Sequence, residues 1–483
     1  MTSGLLSEIN PEEIKMKLPN WEEAFNNSDL GDKRRVRRAI KVSNQIDSRC
    51  DIKGVSSLLN SHSELKSVSR LMRAPEVTPE SLTGGFMDIN CKRITDSHVL
   101  LVEDTSELNF AWRKKQLKGL GPAGNGEDQG FFIHPAIIVE PANKEVQGIA
   151  ALSVITREYG ERKREGGKHK TKNIEEKESY RWIDVPRQGI KRLPEKITKT
   201  IVADREADIY DLFLSRQNGE LGKNCELLIR SAHNRKLSDS ELYLNDEIES
   251  WEISGTHIVK IDGNGKRKSR EAKCSIRFGE VMMAIPKSQR TRKGKEPISG
   301  VYVVDIREEN NENPGETLHW KLLTTWPVYT VEEAMEKIEW YRSRWLIEEL
   351  FRILKSGYQV ESVRFDDGKA VINWCALRLL MAVKLLHVRT HRNDETANSA
   401  KNIFSEIEIK VLEACEPKLI SPNSTIRRPE KYSMAWVSLL VAIMGGYQAL
   451  PSAKPFGQTT LWRGLIRLEG AVIGYQAASE RSG

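Results

Sequence analysis

The chain has 483 residues and a mass of 55.0 kDa, with 39% hydrophobic and 30% charged residues, which suits a soluble globular protein of two to four domains with strongly charged surfaces. A net charge of +7, from 75 Lys and Arg against 68 Asp and Glu, is too small an average to identify a polyanionic partner. Six scattered cysteines with no CxxC pair exclude a zinc-ribbon pattern and fit reduced thiols.

The N-terminus, MTSGLLSEINPEEIKMKLPN, is too acidic and too broken for a signal peptide, so a cytoplasmic, nucleoid-associated location is expected. Residues 1–95 read as short helices and polar turns and form the first expected domain. Trp21 to Phe25 opens an amphipathic segment, and LGDKRRVRRAIKVSNQI follows as a basic helix with Val36, Ile40, Val42 and Ile46 on its apolar side. This is one of four basic clusters; the others are ERKREGGKHK at 161–170, GKRKSR at 265–270 and QRTRKGK at 289–295. Together they point to a polyanion such as DNA.

From about residue 98 the hydrophobic period changes to that of strands. HVLLVEDTSELNF reads as an apolar strand ending at acids and a turn, and FFIHPAIIVEP and VQGIAALSVITREY as two further strands. A Lys- and Glu-rich segment then runs through Glu178 as a loop or exposed helix. Another strand at Ile197–Ala203 ends in ADREADIYDLFLSR, which turns into a helix. Residues 96–225 thus make the first part of an α/β core. Residues 226–330 are mainly β, with GNGKRKSR and SQRTRKGKEP as exposed hairpin tips.

Helical spacing resumes in VEEAMEKIEWYRSRWLIEELFRILKSG, read as one long helix or two abutting ones ending at Ser356-Gly357, within a core segment 331–370. The remainder, 371–483, is helical around INWCALRLLMAVKLLHVRT, with a polar region centred on 391–430. The tract MAWVSLLVAIMGGYQAL is broken by two glycines before it reaches spanning length, so a packed helix and turn is expected and no membrane span.

Two strands end at acids, Asp104 in LVEDTSELNF and Asp204 in KTIVADREADIYDL. A carboxylate just outside the end of a sheet is rigidly held and open to a cation without being buried unpaired. Glu348 in YRSRWLIEELFRILKSG supplies a third carboxylate from a helix packed across the sheet. Tyr341, Arg344, Arg352 and Lys355 share its arc and can grip phosphates, while Ile347, Leu350, Phe351 and Leu354 form the buried seam. Hard oxygen ligands of this kind suit Mg²⁺, which can activate an attacking oxygen and stabilise a leaving one in phosphodiester chemistry. Acids after strands are also common helix caps, and Arg344, Arg352 and Lys355 can equally be structural ion-pair partners. Glu349 is the rival to Glu348 but turns away from the Tyr341–Lys355 stripe. Asp208 and Asp211 read as helix-start charges, Glu103 and Glu107 as solvent-facing, and His134 and His233 as packing or phosphate contacts. No GxxxxGK[ST] loop for ATP is present.

The three contexts EDTSEL, ADREAD and YRSRWLIEELFRILKSG, in this order, resemble the DDE transposases of bacterial insertion sequences. The similarity extends through LGDKRRVRR, GKRKSREAKCSIRF, LHWKLLTTWPV, MAWVSLLVAIMGGYQAL and LWRGLIRLEG. It implies a ribonuclease-H-like catalytic core interrupted by a mainly β insertion, with helical N- and C-terminal regions. It also implies catalysis and metal binding by Asp104, Asp204 and Glu348 with Mg²⁺ (or Mn²⁺ in its place). The partners implied are transposon-end inverted repeats, target DNA and a second copy of the chain in a synaptic homodimer. Each end would be cleaved through a DNA hairpin and then joined to target. Tyr341, Arg344, Glu348 and Lys355 match the family signature, while Arg352 stands where a second lysine is usual. Trp320 in LHWKLL, on its own a candidate core aromatic, matches the residue that stacks on a flipped base. A structural nuclease without strand transfer, and an inactive DNA-binding regulator, remain alternative readings.

Overall fold

The computed structural model describes residues 18–47, 61–113, 117–124, 126, 128–159, 172–261, 269–291, 294–309, 317–421, 424–450 and 456–482. Two of the expected basic segments, ERKREGGKHK and most of GNGKRKSR, lie outside these residues, as does part of SQRTRKGKEP. Among the described residues the first elements are four helices, α1 (Trp21–Asn26), α2 (Lys33–Asp47), α3 (His62–Arg73) and α4 (Pro79–Arg93). Their starts are written in the sequence. Asn20 and Thr78 close reciprocal capping boxes on α1 and α4, and Ser61 caps α3. On α2, Val42 and Ile46 are buried and Val36 and Ile40 pack against the same core, as their spacing predicts. Lys33, Arg34 and Arg37 remain on its exposed side.

Eleven strands form one sheet. They are β1 (His98–Glu103), β2 (Ser106–Asn109), β3 (Gly121–Ala123), β4 (Asp128–Val139), β5 (Val146–Ile155), β6 (Thr198–Ala203), β7 (Cys225–Arg230), β8 (Gly255–Ile261), β9 (Arg270–Met283), β10 (Ile298–Glu308) and β11 (His319–Thr324). The order is β2-β4-β1-β6-β7-β11-β10-β9-β8, with β3 and β5 also paired to β4. Among the described strands, β1–β6 and β6–β7 pair in parallel and the other pairings are antiparallel. The mainly β segment therefore continues the core sheet through β7–β11–β10. Its KCSIRF and VMMAIP runs, expected as separate strands, are one 14-residue strand, β9. In HVLLVEDTSELNF the apolar strand ends at the acids as expected, and the residues after the turn form a further short strand, β2.

Between the strands lie α5 (Arg181–Arg192), α6 (Tyr210–Gln217) and α7 (Leu244–Ser250), the last not expected from the sequence. The long charged helical run resolves into α8 (Val331–Arg342) and α9 (Trp345–Arg352), which passes into a π-helical turn at Ile353–Gly357. The end includes α10 (Gly368–Thr390), α11 (Glu406–Leu419), α12 (Met434–Met444) and α13 (Gln458–Ser482). The polar region around 391–430 thus contains a helix, α11. Among the described residues, α10 alone is long and apolar enough to cross a membrane, and it is almost entirely buried in the protein. The α12 segment is a short packed helix ended at Gly445–Gly446, as expected.

The strand period of two sorts side chains onto two cores. Leu100, Val102, Val202, Leu228, Val304 and Leu322 join the core that contains Ile347, Leu350 and α10 residues such as Leu377. Val99, Leu101, Ile201, Ala203, Ile229 and Leu323 face the opposite way, onto Trp182 of α5 and Phe213 of α6. Burying these apolar side chains contributes about 1.5–3 kcal/mol each before conformational entropy is counted.

One close approach fixes how α4 lies on β5. The Asn90 amide donates to the Gln147 carbonyl at 2.8 Å and accepts from the Ile149 N–H at 2.8 Å, around Gly148. Gly148 has φ +131°, and a Cβ there would lie 1.9 Å from Asn90 Oδ1. Gly148→Ala should lower stability by roughly 2 kcal/mol or more, combining backbone strain with loss of the buried amide bonds. A urea midpoint equal to that of the parent protein would contradict this.

Candidate active site

The parallel pairing of β1 with β6 puts Val102 beside Val202. Two residues later each chain leaves the sheet at an aspartate, so Asp104 and Asp204 emerge side by side at the carboxyl ends of neighbouring strands. Such crevices are a habitual ligand position in α/β sheets. The alternation also decides direction. Asp104 and Asp204 share parity with Val102 and Val202, hence the sheet face that carries α9. Glu103 has the other parity and enters the core beneath α5.

That parity overturns the expectation of a solvent-facing Glu103. It is fully buried, bonded to His134 Nε2 at 3.2 Å, and burial raises its pKa far above the usual carboxylate range. His134 is held well below its usual range by burial, and its ring meets Trp182 edge-on at 4.6 Å. Of its two expected roles, packing is the one observed. Glu107 accepts from the Gly124 N–H at 2.8 Å and the Asn109 amide at 3.0 Å. Asp208 does not start a helix. It is buried, ion-paired to Arg235, and accepts the Ala232 and His233 N–H groups at 2.7 and 3.1 Å. Asp211 does stand in the first turn of α6, where Lys295 Nζ lies 2.6 Å from its carboxylate.

Glu348 faces this crevice from α9. Arg344, one turn earlier, joins two of the acids. Its Nη1 donates to Asp104 Oδ2 at 3.1 Å and its Nη2 to Glu348 Oε1 at 2.5 Å. The other two carboxylates also act on Asp104. Asp104 is pushed up to about 7, first by burial and next by the Asp204 charge, with Glu348 adding to the rise. The Thr105 N–H and the Arg344 guanidinium act against it. Oxygen donors with mutually repelling charge suit a hard divalent cation, which lowers the cost of keeping them ionised. Among the described residues no group of three or more His, Cys, Asp or Glu side chains is gathered closely enough to hold a metal ion. The donor chemistry fits such an ion, with Arg344 lying between Asp104 and Glu348.

Tyr341 is 3% exposed, and its hydroxyl lies near the Arg344 and Arg230 guanidiniums without a hydrogen bond of ordinary geometry. Trp320 on β11 meets the Tyr341 ring edge-on at 5.3 Å and is half-buried, on the same sheet face as both aspartates. Arg352 is drawn to the other side of α9. It pairs with Glu349, which also binds Arg389 and accepts from Trp345 Nε1 at 3.1 Å. Lys355 follows in the π turn and is partly exposed. Arg230, missed in the sequence, ends β7. Ala203 pairs with Ile229, so Arg230 stands beside Asp204 at the same sheet edge. An arginine directly after the apolar run CELLI was the available signal.

A sheet whose paired parallel strand ends carry acids, covered by a helix bearing a third acid and a guanidinium, defines a candidate phosphoryl-transfer enzyme. Residues 155–384 match the family model described as Transposase DDE domain. The match supports a DDE transposase, an enzyme class whose catalysis depends on divalent metal ions and whose substrate is DNA. It spans Asp204, Trp320 and Glu348 and begins beyond β1, so the case for Asp104 rests on its pairing with Asp204. The mixed α/β architecture, with a mostly antiparallel central sheet, is compatible with a ribonuclease-H-like DDE domain.

The two adjacent glutamates should separate cleanly. Glu349, with 3% of its side chain exposed, is the common partner of Arg352 and Arg389. Glu349→Ala leaves two arginines facing each other and should destabilise the protein on the order of 2 kcal/mol, after allowance for their partial exposure. Glu348→Ala should leave the unfolding midpoint within about 0.5 kcal/mol of the parent, because its carboxylate is partly exposed. Equal destabilisation by the two substitutions, in parallel denaturation curves, would refute this division.

Proposed function

We propose that this protein is a cut-and-paste DNA transposase that cleaves transposon ends and joins them to target DNA. The observation that carries the reading is the juxtaposition of Asp104 and Asp204 at paired strand ends, with Glu348 linked to Asp104 through Arg344. Asp104, Asp204 and Glu348 would hold Mg²⁺, or Mn²⁺ in its place. When bound, the ion supplies a Lewis acid for activating the attacking oxygen and neutralising the leaving one. The chain's own cations then orient the phosphodiester. Arg344 offers a planar fork suited to two phosphate oxygens, and Tyr341, Arg352 and Lys355 extend the same helical run. For Arg352 this role requires release from, or sharing with, Glu349.

The finer resemblance is to the transposase of the composite kanamycin-resistance transposon and its insertion-sequence relatives. On that reading each end is cut through a hairpin, and Trp320 supplies the platform for a base taken out of the stack. A half-buried tryptophan braced by Tyr341 is rigid and has a face to offer. The exposed side of α2, with Lys33, Arg34 and Arg37, supports end-DNA binding by residues 1–95. Ile473 and Tyr475 are exposed on α13, which supports a homodimer contact within 371–483.

The deciding experiment combines purified protein, its native flanking repeats, Mg²⁺ and a target plasmid, with sequencing of the products. Joined ends are expected. Cleavage without joining would favour a structural nuclease, and repeat binding without cleavage a regulator. Nicking and joining use the same bound metal, so alanine at Asp104, Asp204 or Glu348 should lower both by at least about 1,000-fold while leaving repeat binding within a few-fold. Near-parental chemistry in any of the three would remove that residue from the metal set. Trp320→Ala should preserve the first nick better than hairpin formation and resolution. Equal loss of repeat binding, nicking and hairpin formation would make Trp320 a packing residue.

A further inference from the structure

Behind the two aspartates, on the sheet face opposite α9, a single guanidinium ties their turns together. Arg181, the first residue of α5, donates from Nε to Thr105 Oγ1 at 2.9 Å and from Nη2 to Glu206 Oε2 at 2.9 Å. Its Nη1 donates to the Glu178 carbonyl at 2.9 Å, which fixes the fork from its own side. Two of the residues that Arg181 holds, Thr105 and Glu206, in turn bind an aspartate through their backbones. The Thr105 N–H donates to Asp104 Oδ1 at 2.7 Å, and the Glu206 N–H donates to Asp204 Oδ1 at 2.9 Å. The two halves of this arrangement match. In both, one carboxylate oxygen is fixed by the backbone N–H of a residue whose side chain Arg181 holds.

We propose that Arg181 is a positioning residue that sets the separation and orientation of the Asp104 and Asp204 carboxylates for a divalent cation. The inference rests on the metal-binding reading of those two acids. Arg181 touches neither carboxylate, so it acts through Thr105 and Glu206. Its side chain is only 14% exposed, and its contact with Thr105 is backed by His134, whose Nδ1 lies 2.8 Å from the same Thr105 hydroxyl. Three donors of one rigid plane reach three separate segments, the β1–β2 turn, the turn after β6 and the residues before α5. A lysine has a single charged nitrogen on a flexible stem and cannot span them in that geometry. Partners that orient metal ligands from behind typically account for roughly 10–100-fold in metal affinity or activity.

The test measures Mn²⁺ binding to the full chain by electron paramagnetic resonance, alongside the Mn²⁺ dependence of nicking at the native repeat. Arg181→Met and Arg181→Lys should each weaken Mn²⁺ binding by about tenfold, at the lower end of the range for such partners. Nicking should recover toward the parental rate at saturating Mn²⁺, and repeat binding should be unchanged. Thr105→Val should behave like Arg181→Met, while Thr105→Ser, which keeps the hydroxyl, should bind Mn²⁺ like the parent. Asp104→Ala is the reference. If it binds Mn²⁺ as the parent does, the metal-binding reading itself fails. If Asp104→Ala loses the ion while Arg181→Met and Thr105→Val retain parental affinity, the positioning role of Arg181 is overturned. Should Arg181→Met fail to fold, the Thr105→Val and Thr105→Ser pair decides the matter by the same criterion.

Discussion

The parallel ladder between β1 and β6 is the constraint on which the rest of the site depends. Parallel neighbours in register deliver their carboxyl ends to one edge, and alternation fixes the face each following side chain takes. Asp104 and Asp204 therefore meet because Val102 and Val202 are partners. A one-residue slip in either strand would send its aspartate into the core beneath α5, where Glu103 now lies bonded to His134. The strands on both flanks, β4 antiparallel to β1 and β7 parallel to β6, hold that register from outside. β4 clamps β1, while β7 and β11 extend the sheet from β6.

Two charged helices complete the arrangement with opposite duties. On α9, Glu348 looks into the crevice and shares Arg344 with Asp104, while its neighbour Glu349 is committed to Arg352 and Arg389. Adjacent helical positions differ by about 100°, so one glutamate can serve chemistry while the next anchors the helix to α10. On the reverse face, α5 supplies Arg181 to the turns beneath the aspartates. The crevice is thus bracketed by guanidiniums, one among the carboxylates and one behind them. Asp104 is raised first by burial and next by the Asp204 charge, and a divalent cation would offset both.

Much of this was legible in the residues. The strand ends at Asp104 and Asp204, the apolar seam of α9 and the capping boxes at Asn20 and Thr78 follow from period and from side-chain chemistry. The turn of Glu349 away from Glu348 was also readable, because helical geometry is local. Register and pairing were not. Nothing in HVLLVED says that Glu103 is buried, because an acid next to an acid at a strand end reads equally well as solvated until the partner strands are known. His134 was visible only as a residue without a motif. Arg181 was invisible for the same reason, since its partners lie far away in the chain, and Arg230 showed only as an arginine after an apolar run; the Arg352 ion pair with Glu349, one turn back on α9, was not foreseen. The helix α7 and the continuation of β9 through FGE were hidden by weak periodicity in short or exposed segments.

The central claim, that Asp104, Asp204 and Glu348 contact the reactive cation directly, is tested most sharply by changing ligand softness. Each acid is replaced in turn by cysteine, and cleavage of the native repeat is measured in Mg²⁺ and in Mn²⁺. A thiolate is a poor ligand for Mg²⁺ and a better one for softer divalent ions. The account predicts that all three variants bind the repeat, fail in Mg²⁺ and regain cleavage in Mn²⁺, while the corresponding alanine variants fail in both. Normal cleavage in Mg²⁺ by any cysteine variant, or failure of every folded, DNA-binding cysteine variant in Mn²⁺, would contradict it.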